Sequence, residues 1–132
     1  MRERFKVILF LFLAVVTAQI PLLAHHGNAG YDEDKKVTMK AVVTEWVWTN
    51  PHSFLKVDVK DDKGNVVHWI AETSAASVFA NANSTGARLT KDSLKPGDEI
   101  TLTVIPAKNG RPVGRIYKLV FPDGRTVITD LP

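Results

Sequence analysis

The chain has 132 residues, 45% of them apolar and 23% charged, with a formal charge of +3 and no cysteine. That length accommodates one domain, and the apolar fraction argues against bulk disorder. The lack of cysteine excludes a disulfide scaffold, a Cys-ligated zinc or iron–sulfur centre, thiol-attached haem, a thiol nucleophile and a lipoprotein anchor.

The chain opens with Arg2, Arg4 and Lys6, and an unbroken apolar run extends from Val7 to Val16. This is the pattern of a secretory signal peptide. The run is shorter than the about 20 residues a membrane span needs, and Gln19 and Pro21 interrupt the apolar residues beyond it. Two cleavage points compete, after Ala18 and after Ala24. Ala24 is favoured, because the apolar Gln19–Ala24 tail makes sense only as part of the signal. Residues 1–24 are therefore expected to be removed, leaving 25–132 as one secreted or periplasmic domain without a stable membrane anchor. The mature chain carries 14 Lys and Arg against 13 Asp and Glu. No basic block remains to bind nucleic acid, and a monomer is expected.

Val37 to Trp48 is the first predicted strand, with Val37, Met39, Ala41 and Val43 on one parity and Val42, Trp46 and Trp48 on the other. It is about twice the usual strand length, which predicts a bent strand serving two sheets. Asn50-Pro51 ends it. Phe54 to Lys60 alternates, with Leu55, Val57 and Val59 inward. Asp61 to Gly64 supplies a hairpin turn, and Asn65 to Glu72 returns. Ser74 to Asn81 reads as a short helix capped by Ser74 or Thr73. Further strands come at Glu99–Ile105, Arg115–Phe121 and Thr126–Thr129, each introduced by a Gly-containing turn. The order predicts an all-β domain with one short helix, an OB-like barrel of five to six strands. An open sandwich is the alternative.

Several spaced motifs carry a resemblance: His25-His26-Gly27, Glu45-Trp46 with Trp48-Thr49-Asn50-Pro51-His52, Trp69 with Glu72, Ser93 to Asp98, and Pro122 to Arg125. Together they resemble the short secreted proteobacterial proteins grouped as a domain of unknown function. Those relatives usually have Ser where this chain has Gly27, and a Gly-Trp where it has Thr85-Gly86-Ala87. The resemblance implies an extracytoplasmic OB-like domain and supplies no activity.

Cleavage before His25 would give that residue two metal donors, its α-amine and its imidazole. A third nitrogen completes a T-shaped site of the kind copper(II) favours, with zinc as the second choice. His52 is the first candidate for that third donor and His26 the second. The amine must lose a proton to bind, so affinity should rise with pH. The competing reading makes His25 and His26 the solvated start of the chain and His52 a loop-shaping hydrogen-bond donor. Asp32, Glu33 and Asp34 read as a solvated charge run before the first strand, and His68 as a half-buried structural histidine. Trp69 reads as core, whereas Trp46 and Trp48 would wall a groove over His52 suited to a small ligand or peptide. No catalytic motif is present, and Glu72 reads as an exposed strand-end carboxylate. The expectation is a small binding protein holding copper through His25, His52 and His26. A non-metal module binding a small ligand or peptide at Trp46 and Trp48 is the alternative. An oxidative copper enzyme would need the same site with an open coordination position.

Overall fold

The computed structural model describes residues 30–77 and 89–129. Six strands run in chain order: β1 (Val37–Val47), β2 (Ser53–Lys60), β3 (Val66–Thr73), β4 (Glu99–Pro106), β5 (Val113–Val120) and β6 (Thr126–Ile128). Alternation in the sequence becomes alternation of burial. In β2, Ser53, Leu55 and Val57 are buried, while Lys60 at the end is exposed. In β1 the inward residues are Met39, Ala41 and Val43. Val37, expected among them, is exposed at the strand's start.

The strand order is β3-β2-β1-β4-β5-β6, with a further pairing between β3 and β5. That last pairing is parallel, whereas the other ladders are antiparallel. It joins Ile70–Glu72 to Val113–Arg115 and closes five strands into a mixed OB-like barrel, with β6 added to the edge of β5. Closure leaves fewer unpaired edges than an open sandwich of the same strands. Inside lie Val43, Leu55, Val57, Leu89, Leu102, Val104, Ile116 and Leu119, each fully or almost fully buried.

The long first strand is bent, as its length predicts. Val37–Val42 pairs with β4 and Val42–Val47 with β2, so Val42 belongs to both ladders. A bulge between Val43 and Glu45 takes up the bend. The extra residue changes the parity read from the sequence. Glu45 falls opposite Lys56, with their charged groups 2.6 Å apart, and Trp46 falls opposite inward-facing Leu55. Trp46 therefore does not share an outward face with Val42. The neighbouring turn locks the bulge: Val43 N donates to Asp98 O and Gly97 N to Val43 O, both at 2.8 Å. Gly97 holds φ at 94°, a conformation that glycine adopts without a Cβ penalty.

Strand β5 starts at Val113, two residues before the predicted Arg115, and those extra residues are part of the closing pair with β3. Of the helix predicted over Ser74–Asn81, residues 74–77 are described and Ala76 and Ser77 are helical; 78–81 lie outside the described residues. The predicted signal peptide also lies outside them. Among the described residues, no helix is long and apolar enough to cross a membrane.

Candidate functional site

The loop between β1 and β2 is built around one buried hydroxyl. Ser53 Oγ accepts from Thr49 N at 3.2 Å and donates to Thr49 O at 3.1 Å, and Ser53 is fully buried. Ala76 N donates to Thr49 O at 3.1 Å, and Ser77 N to Asn50 Oδ1 at 3.2 Å. The Asn50–Pro51 peptide is cis. His52 comes next, immediately before β2, with half of its side chain exposed.

His52 Nδ1 lies 2.6 Å from Glu72 Oε1. Glu72 lies on the outward parity of β3, paired with Phe54 of β2 on one side and Arg115 of β5 on the other. Its second oxygen, Oε2, accepts the Tyr31 hydroxyl at 2.7 Å. Tyr31 is held in turn by the chain around it. It forms an isolated bridge with Ala107, while Asp32 N donates to Pro106 O and Lys108 N to Gly30 O, each at 2.9 Å. Arg115 completes the cluster. Its guanidinium lies 6.0 Å from the Tyr31 ring centroid and 2.8 Å, through Nη2, from Glu33 Oε2.

An ionised carboxylate can only accept hydrogen bonds. Where Glu72 is ionised, the His52 Nδ1 at 2.6 Å is the donor of this contact, and in the neutral ring Nε2 then keeps its lone pair. Tyr31 remains a donor. Burial pushes its pKa up from the ordinary 10.0, the hydrogen bond to Glu72 and that group's charge push it further, and Arg115 opposes them. The cluster so holds a half-exposed imidazole through Nδ1 on a carboxylate bonded at both oxygens.

The predicted site residues fall in different places. His25 and His26 lie outside the described residues. Trp46 and Trp48 are partly buried against the core, with ring centroids 5.6 Å apart and planes tilted by 56°; Trp46 Nε1 donates to Thr90 O at 2.9 Å. Trp69, expected as core, is also only partly buried against it. His68 is not the half-buried residue expected: its side chain is 81% exposed. Its parity, shared with exposed Val66 and Ile70, faces solvent. Glu72, expected as an exposed carboxylate, is instead largely shielded and bonded on both oxygens. Of the acidic run, Asp32 pairs with Lys35 at 2.8 Å and Glu33 with Arg115.

Tyr31 and Arg115 carry no signal in the sequence, because Tyr31 meets Glu72 across 41 residues and Arg115 reaches it through barrel closure. Among the described residues, no group of three or more His, Cys, Asp and Glu could hold a metal ion. A separate cleft of about 600 Å³ opens where β1 parts from β2, lined by Met39, Lys40, Asp58, Lys60, Ile100 and Phe121 among others. It contains none of the predicted site residues.

A family model described as a family of unknown function (DUF6152) matches residues 13–116. The matched span includes all four histidines, all three tryptophans, Tyr31, Glu72 and Arg115. No curated protein and no solved structure matches the chain.

Proposed function

The chain belongs to that family of unknown function, and we propose that it is a secreted or periplasmic small binding protein that holds copper through His25, His52 and His26. In this reading His25, as the first residue after signal removal, supplies its α-amine and its imidazole. Nε2 of His52 supplies a third nitrogen, with His26 as the other candidate donor. An all-nitrogen set of this kind suits copper(II) better than zinc, which prefers a tetrahedral arrangement.

One observation carries the reading. Tyr31, pinned to Ala107 through the backbone, shares the Glu72 carboxylate with His52. The chain that leads back from Tyr31 to His26 is five residues long, and such a segment spans at most about 17 Å. A reach of that order, one residue longer for His25, is compatible with both histidines meeting His52, and this supports the reading.

The test compares the protein beginning at His25 with one bearing a single added residue before it. Copper(II) titration followed by electron paramagnetic resonance should give one nitrogen-ligated, tetragonal ion per chain in the first protein and weaker binding in the second. Equal affinity would make the histidines a loose surface cluster. The non-metal reading would then take over. It rests on the Trp46–Trp48 ring pair, partly exposed at the end of β1, as a surface for a small ligand or peptide.

A further inference from the structure

The His52 contact is with one oxygen of Glu72, and the other oxygen is taken. A carboxylate with one oxygen free can rotate and offer either lone pair. Here the Tyr31 hydroxyl at 2.7 Å fixes Oε2, so Oε1 is fixed against His52. Tyr31 cannot move readily either, because the backbone on both sides of it is bonded to Pro106 and Lys108. Glu72 is placed by its own strand between β2 and β5, at the pair that closes the barrel. The imidazole is thus oriented by two side chains in series, Glu72 and Tyr31, and the far one is rooted in the backbone.

We infer that Glu72 is the positioning residue of the copper site: its Oε1 holds His52 as the Nδ1–H tautomer, and Tyr31 holds Oε2, so that Nε2 faces the metal. The inference rests on the copper reading for the metal, and on the described residues alone for the tautomer. A carboxylate that accepts the second N–H of a metal-bound imidazole fixes its tautomer and ring orientation and raises its basicity. Removing such a partner typically lowers metal affinity by about 10–100-fold. Glu72 itself touches no metal and acts only through His52.

The experiment has two readouts on the protein beginning at His25. The first is the tautomer of the neutral His52 ring, read without metal from nitrogen chemical shifts. Wild type should show Nδ1–H, Glu72→Ala should lose that preference, and Glu72→Gln, whose amide oxygen still accepts, should retain much of it. The second is copper(II) affinity, which should fall by about 10–100-fold in Glu72→Ala and by less in Glu72→Gln. An Nε2–H ring in the wild-type protein overturns the inference without any variant having to fold. Unchanged copper affinity in a folded Glu72→Ala protein overturns it as well. Wild-type protein that binds no copper overturns the metal reading and the metal half of this inference together. The metal-free tautomer keeps that failure distinct from a failure of Glu72 to orient the ring.

Discussion

Asp58 and His68 stand directly opposite one another on β2 and β3, with Asp58 Oδ1 2.6 Å from His68 Nδ1. This is a second carboxylate-held imidazole on the outward parity that carries Glu72. His68 and Glu72 are four positions apart on β3, a distance of about 13 Å along the strand. A single ion cannot use both rings. His68→Ala is therefore expected to leave copper affinity unchanged within about twofold, whereas His52→Ala should lower it by at least about tenfold. Calorimetric titration of both variants checks this, and an equal loss in the two would remove His52 from its special place.

Tyr31 gives a prediction at alkaline pH. Its folded-state pKa lies above the ordinary value of 10.0, first through burial and then through Glu72. A group raised in this way stabilises the fold fully below its unfolded pKa, and the contribution is lost as pH rises above it, because only the unfolded chain can then ionise freely. Denaturant midpoints of wild type should fall more steeply above pH 10 than those of Tyr31→Phe. Parallel curves for the two proteins would show that the hydroxyl is not shielded as described.

Gly114 marks a close approach between strands. A Cβ there would lie 2.8 Å from Val104 Cβ, 2.9 Å from Val104 Cγ2 and 3.0 Å from Ile105 O. Val104 is a short, stiff side chain and Ile105 O is backbone, so β5 would have to shift from β4. Gly114→Ala should cost about 1–3 kcal/mol, as overpacking of a filled interior does. A lowered urea midpoint with an unchanged slope is the expected result.

Trp46 tests the bulge in β1. Because it faces Leu55, packs on the core and donates to Thr90 O, Trp46→Ala should destabilise the fold by about 2–3 kcal/mol, somewhat less than truncation of a fully buried aromatic. A loss near zero would return the side chain to an outward groove.

Much of this architecture is legible in the amino-acid order, and the exceptions have physical reasons. Leu55 and Val57 alternate with Lys56 and Asp58, so β2 declares its faces. Trp46 is misplaced by its parity because a bulge leaves no trace in a period-two pattern, and one extra residue inverts the parity beyond it. The start of β5 is hidden because Pro112 and Gly114 break the alternation where the strand meets β3. His52 stands out through its loop and its chemistry. Glu72 is marked only as a motif residue with Trp69, and its shielding is not legible, since the groups that provide it come from residues 31 and 115 and only closure brings them near. A site assembled at a barrel seam is dispersed in sequence by construction.

That seam has a consequence for the order of folding. The contact between His52 and Glu72 belongs to the β2–β3 hairpin, whose strands are neighbours in the chain and pair through a short turn. Tyr31 and Arg115 approach Glu72 only when β5 docks in parallel on β3, a pairing of high sequence separation whose loop-closure entropy has to be overcome first. Sequence separation therefore predicts that the imidazole meets its carboxylate before the carboxylate acquires its remaining partners. A chain arrested before closure would carry the dyad without its support.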